Sequence, residues 1–122
     1  MTVETSPRAA VTAEELIARA RVLAPVLAER AAETERLRQM PAETVADIVA
    51  SGLLRIGNPE RFGGYGLEPD VTFEVSMELG RACGSAAWCY GVWSIHNWVA
   101  GHFPEQAQEE YFASGPDSLT IR

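Results

Sequence analysis

Apolar residues recur at spacings of three and four near the start of the chain: Leu16, Ala20, Leu23, Leu27 and Ala31. That spacing gathers them on one face of an amphipathic helix. Arg19, Arg21, Glu29, Arg30 and Glu33 fall on the other face. Thr12, with Glu15 three residues on, reads as a capping box, so the helix starts there and ends near Arg36 to Gln39. Pro25 lies inside it, and its missing N–H predicts a kink. Pro41 suits the first turn of a second helix, with Val45, Ile48 and Val49 as its buried stripe and Gly52 as its stop. Leu53 to Pro69 holds Gly57, Pro59, Gly63, Gly64 and Gly66 and reads as a loop with demanding backbone angles.

The pattern predicts a third helix from about Asp70 to Cys83, with Phe73, Met77 and Leu79 inward. Gly84-Ser85 marks a break, and Ser85 can cap a fourth helix running to about His102. This fourth helix has no formal charge and is apolar nearly all round, which predicts a central, buried position. Pro104 opens a short fifth helix to Phe112, with Glu105, Glu109 and Glu110 outward. At the end, Leu119 and Ile121 alternate with polar neighbours as an opening strand does, yet no second strand is visible to pair with it. The expectation is an all-α domain over residues 12–115, a disordered leader over 1–11, and the start of a β segment over 116–122.

Composition narrows the partners. The chain has 122 residues, 47% apolar and 22% charged, which fits one globular domain with its own core. Its net charge is −7 and all ten basic residues are arginines. An acidic chain without a basic stripe argues against nucleic acid and against an anionic membrane surface. The N-terminus lacks a signal pattern, and no long uninterrupted apolar run is present, so a cytoplasmic protein without a membrane span is expected. Cys83 and Cys89 then read as reduced packing thiols.

The concentrated chemistry lies on the fourth helix: Trp88, Tyr90, Trp93, His96, Asn97, Trp98 and His102. At about 100° per residue, His96 projects about 80° from Trp88 and close to Cys89, Val92 and Ala100. Tyr90, Ser94 and Asn97 fall on the opposite, more polar side. A histidine on such an apolar face should have a lowered affinity for its proton and act as a neutral donor or acceptor. The alternative is a core histidine satisfied by a backbone carbonyl. Cys83, Cys89, His96 and His102 match no zinc spacing, and the two histidines point about 120° apart on a helix, so no metal site is expected. The glycines of the 61–66 loop do not follow a strand, so they are not a dinucleotide fingerprint.

Several of these segments resemble one family. Pro59-Glu60-Arg61-Phe62-Gly63-Gly64-Tyr65-Gly66-Leu67 resembles the P-E-x-[YF]-G-G-x-G loop of the acyl-CoA dehydrogenase superfamily. Met77-Glu78-Leu79-Gly80-Arg81-Ala82 resembles the E-E-L-A-R helix that follows it there. Residues 107–115 resemble the short helix before that family's middle β domain. Cys83-Gly84-Ser85-Ala86-Ala87-Trp88, then Ile95-His96-Asn97-Trp98, are similar to one branch, the oxygenase components of two-component flavin-dependent aromatic monooxygenases of the hydroxyphenylacetate and secosteroid hydroxylase type. Leu37-Arg38-Gln39-Met40-Pro41 resembles that branch's L-R-x-[LM]-P turn.

The resemblance implies a helical N-terminal domain, with residues 116–122 opening a middle β domain that is missing from this chain. It implies a homotetramer, and a reduced flavin (FMN or FAD) held mainly by the missing domains and supplied by a separate flavin reductase. The substrate it implies is a small phenolic aromatic. Trp88 would border flavin and substrate, and His96 would be the catalytic and substrate-binding residue at the phenolic oxygen. Asn97 and Trp98 would mainly support the helix. By itself the chain should lack turnover. Two other readings fit the same residues: the N-terminal part of an FAD-dependent acyl-CoA dehydrogenase, or a non-catalytic helical interaction module.

Overall fold

The computed structural model describes residues 10–120, and it is all-helical there, with no strand among the described residues. Of the leader expected over 1–11, only Ala10 and Val11 are described, and Val11 packs partly buried against the core. Helix α1 (Ala13–Leu37) begins where the capping pattern places it: Thr12 is extended, and its hydroxyl accepts the Glu15 N–H at 3.2 Å. Its buried face is Leu16, Ala20, Leu23, Leu27 and Thr34. The helix continues through Pro25, which is exposed and leaves the carbonyl one turn earlier, at Arg21, without its helical N–H partner. Arg38 ends α1 in the left-handed region, φ 56°, with its N–H shared between the Thr34 and Glu35 carbonyls. For a non-glycine residue that conformation costs about 1 kcal/mol.

Helix α2 (Ala42–Ser51) follows Pro41 and ends at Gly52. Its buried residues are Thr44 and Ile48, whereas Val45 and Val49 are only half-buried. The shift toward Thr44 has a polar cause: the Arg30 guanidinium donates to the Thr44 hydroxyl at 3.2 Å and pairs with Asp47 at 2.8 Å, pinning that side of α2 to α1. A 3-10 turn, Leu53–Arg55, comes next, and Leu53, Leu54 and Ile56 are all fully buried.

Helix α3 (Pro69–Gly80) corrects one expectation. Val71, Thr72, Val75 and Leu79 point inward, while Phe73 and Met77 are 58% and 61% exposed. Both sets are apolar stripes at helical spacing. The Val71–Val75–Leu79 stripe is a turn longer and narrower, and it lets α3 lie close against α1 and α4.

Helix α4 (Gly84–Ala100) is corrected more deeply. Cys83, not Ser85, occupies its N-cap position, and no side chain caps it. The helix is not enclosed: its buried face is Ala86, Tyr90, Trp93, Ser94, Asn97 and Ala100, while Trp88 is 74% and Val99 42% exposed. The polar residues turn inward because the 3-10 turn offers carbonyls that need donors. The Tyr90 hydroxyl donates to the Leu53 carbonyl at 2.9 Å, and the Asn97 amide donates to the Leu54 carbonyl at 3.4 Å. Ser94 and Thr72 share a hydroxyl–hydroxyl contact of 3.4 Å between α4 and α3. No helix of the described residues is long and apolar enough to cross a membrane.

Helix α5 (Glu105–Tyr111) leads to Phe112, which is buried and stacked on Phe62 at 5.1 Å. The segment after it folds back over the glycine-rich loop. Arg55 grips Asp117 through two bonds of 2.9 and 2.7 Å, and Asn58 Nδ2 donates to the Pro116 carbonyl at 2.6 Å. Within the loop, the Tyr65 and Leu67 amides donate to the Arg55 and Ile56 carbonyls at 2.9 and 2.8 Å. Gly64 is needed there: a Cβ at that position would collide with the Asn58 backbone oxygen. The expected strand is not seen over 118–120, where the chain is irregular and Leu119 packs on the core; Ile121 and Arg122 lie outside the described residues.

Candidate functional site

Trp88 and His96 both face away from the core, on the side of α4 opposite Tyr90, Ser94 and Asn97. Eight residues separate them, about 12 Å along the helix axis. Trp88 borders a cavity of about 730 Å³ between the end of α1, residues 38–40 and the first turn of α4. Arg38, Met40, Ser85 and Cys89 contribute to the same wall. Burial, then the neighbouring Cys83, pushes the Cys89 thiol above its ordinary pKa, so it lines this cavity as a neutral group. His96 is not part of this wall, so the two candidate residues are presented along one helix but not gathered into one pocket. A second cavity, about 600 Å³, lies between α1 and α2 around Val22, Leu23 and Val26, and includes no residue of α4.

His96 is half-buried, and the sequence-based picture of an apolar setting is corrected by its partner. Its Nδ1 lies 2.8 Å from the Thr120 hydroxyl, 24 residues away on the returning tail. A backbone carbonyl is the partner of His102, which is exposed and whose Nδ1 donates to the Trp98 carbonyl at 2.9 Å.

Behind His96 stands a polar cluster that periodicity alone did not reveal. Asn97 is fully buried; its amide reaches the Leu54 carbonyl, and its Oδ1 accepts the Tyr111 hydroxyl at 2.7 Å. Asn97 therefore supports α4 by bridging it to the 3-10 turn and to α5. Burial pushes the Tyr111 phenol above its ordinary pKa, and the nearby polar side chains of Ser118 and Thr120 pull it partly back. The signal that could have found this cluster is Asn97, an amide on the more polar side of the helix and next in sequence to His96; nothing in the sequence shows that residues 118–120 return to it. Among the described residues, no group of three His, Cys, Asp or Glu side chains converges as a metal site. The exposed indole of Trp88 offers a flat apolar face, and the first turn of α4 presents N–H groups that no side chain caps. Such a surface can border a planar ring from one side.

Comparisons with known proteins follow the same architecture. The chain is 36% identical over 95 residues to a flavin-dependent monooxygenase, oxygenase subunit HsaA, of Rhodococcus jostii, covering 78% of this chain and 25% of that protein. It is 36% identical over 104 residues to the oxygenase component of an FADH(2)-dependent resorcinol hydroxylase of a Rhizobium species, covering 85% of this chain and 25% of that protein. The crystal structure of the HsaA monooxygenase from M. tuberculosis superposes with a TM-score of 0.83 at 33% identity, over 88% of this chain and 29% of that one. The chain thus spans about a quarter of the length of the curated relatives it matches. The family described as acyl-CoA dehydrogenase, N-terminal domain, matches residues 12–115, from the Thr12 cap through Gly115 beyond α5, and the chain belongs to that family.

Proposed function

We propose that this chain is the N-terminal helical part of an oxygenase component that uses reduced flavin to hydroxylate a phenolic substrate in the cytoplasm. The observation that carries this reading is the outward pair on α4, Trp88 and His96, in a chain whose relatives are named as hydroxylase and monooxygenase oxygenase subunits. The flavin, FMN or FAD, rests mainly on other domains of a homotetramer and is delivered by a partner reductase. When bound, it supplies the activated oxygen. Trp88, flat and apolar, fits one edge of such a ring and keeps water from it. The His96 ring, held by Thr120 through Nδ1, turns its other nitrogen toward the substrate oxygen. Drawing on the phenol proton there raises electron density on the aromatic ring, which favours attack on an electrophilic oxygen. Exposed Phe73 and Met77, one turn apart on α3, support burial in a larger assembly.

The test uses the oxygenase that carries this chain, supplied with reduced flavin, oxygen and a set of phenols. Hydroxylated product is expected, and His96→Asn should slow its formation by about 10²-fold while flavin oxidation continues, releasing hydrogen peroxide. An unchanged hydroxylation rate would remove His96 from the chemistry. Oxidation of an acyl thioester in place of a phenol would favour the dehydrogenase reading.

A further inference from the structure

An imidazole can sit on its chain in two ways, because turning the ring over exchanges the place of Nδ1 with that of a carbon and moves Nε2 with it. The contact of 2.8 Å between His96 Nδ1 and the Thr120 hydroxyl selects one of the two. Neighbours fix both ends of this contact. Asn97, next to His96, is fully buried and bonded to the Leu54 carbonyl and the Tyr111 hydroxyl, which sets that turn of α4. Leu119, next to Thr120, packs on the core, and Asp117 is gripped by Arg55. The chemical type of the partner matters as well as its place. A backbone carbonyl, such as the one that holds His102, keeps only a ring whose proton is on that nitrogen. A carboxylate would favour the charged ring. A hydroxyl both donates and accepts, so it stays bonded to Nδ1 in either neutral tautomer and in the imidazolium. The surrounding elements leave that balance undisturbed: α4 contains no Asp, Glu, Lys or Arg, Asp117 on the tail is committed to Arg55, and burial keeps Tyr111 on α5 a neutral phenol.

We infer that Thr120 is a positioning residue for the proposed hydroxylation: its hydroxyl keeps the His96 ring in one orientation while the ring gains and loses a proton at Nε2. This rests on the reading of His96 as the group that meets the phenol. As the proton moves from the phenol oxygen to Nε2, Nδ1 keeps its own proton, and the Thr120 oxygen accepts from it before and after the transfer. The ring therefore changes charge without losing its orientation.

Two measurements separate the contact from the chemistry. The chain has two histidines, and His102→Gln assigns their NMR signals. Thr120 is exposed, so substitutions there leave the core intact. In the 122-residue chain, Thr120→Asp sets a carboxylate beside Nδ1 and should raise the titration midpoint of His96 by about one pH unit, with that of His102 unmoved. An unmoved His96 midpoint would overturn the inference. In the oxygenase that carries this chain, Thr120→Val should lower kcat for hydroxylation about tenfold, the scale of one hydrogen bond, with KM little changed. Thr120→Ser should restore it. Thr120→Asp should move the acid limb of the kcat profile to higher pH, because Nε2 then keeps a proton over a wider range. In a His96→Asn background, Thr120→Val should cost nothing further, since it acts through the ring. A Thr120→Val enzyme with the parent's kcat, or one with the same loss when His96 is already replaced, would overturn the positioning role. His96→Asn at the parent rate would overturn the reading of His96 itself, and the role with it, while the titration still reports the contact.

Discussion

Replacing Tyr90 by Phe removes one oxygen from a side chain that is fully buried and changes little else in volume. That oxygen donates to the Leu53 carbonyl at 2.9 Å, at the junction of α4 with the 3-10 turn, so the variant deprives a buried carbonyl of its side-chain donor. Losing such a partner costs about 1–3 kcal/mol. The slightly better burial of a phenyl ring offsets a small part, which leaves about 2 kcal/mol, or roughly 8 °C in Tm for a domain of this size. A second signature lies at high pH. Burial pushes the Tyr90 phenol well above its ordinary pKa, and hydrogen bonds with Ser94 and Thr72 only partly oppose this. The folded state therefore holds the proton more tightly than the unfolded chain. Stability from this group is complete below the ordinary tyrosine value of about 10 and is lost as pH rises from there toward the folded value. The loss runs at about 1.4 kcal/mol per pH unit for one proton. Tyr111, raised in the same direction, adds a parallel decline that the variant keeps. Urea unfolding followed by tryptophan fluorescence, at pH 7 and at steps above pH 10, reads both effects. The variant should start lower and decline less steeply. A Tyr90→Phe chain that matches the parent at pH 7 and keeps the parent's alkaline slope would refute the view that this phenol is sealed in the core.

Gly64→Ala should destabilise the chain by about 1–3 kcal/mol, measured by the same unfolding experiment, because the new methyl meets the Asn58 backbone, which cannot swing aside as a side chain would. The 122-residue chain alone should bind oxidised or reduced flavin weakly, since the described residues provide a single wall beside Trp88; stoichiometric quenching of flavin fluorescence at low micromolar concentration would contradict this. The isolated chain should also self-associate at micromolar concentration, through Val22, Phe73, Met77 and Trp88, each more than half exposed. Sedimentation velocity showing a single monomeric species would argue otherwise.

The helices were legible where one apolar stripe stood against a charged face. In α1 the Thr12 cap and the Leu16–Leu23–Leu27 spacing left no second choice. They were ambiguous where two stripes competed, as with Phe73–Met77 against Val71–Val75–Leu79. On α4 burial nearly all round was the expectation, and the structure buries one face only. Tyr90, Ser94 and Asn97 form the more polar side of the helix, yet that side is the buried one, and the neighbouring 3-10 turn supplies acceptors to Tyr90 and Asn97 that make this favourable. Trp88, on a helix expected to be buried, is among the most exposed apolar side chains. The resemblance set Trp88 beside flavin and substrate, and His96 beside the phenolic oxygen, only by analogy. The contact of His96 with Thr120 was beyond reach from periodicity, because it depends on where an irregular tail returns over 24 residues of intervening chain.

That tail makes the integrity of the site a matter of local opening rather than of global unfolding. Residues 116–120 are fastened by the Arg55–Asp117 pair and by Asn58, to which Pro116 is tied across 58 positions of sequence, and not by helical packing of their own. A fluctuation that unfastens them can carry Thr120 away from His96 while α1 to α4 stay folded. Weakening Arg55, remote from His96 in sequence, should therefore speed amide exchange and proteolytic cutting near Asp117 with little change in the melting temperature of the helices. It would change how often the site is assembled without changing how stable the domain is.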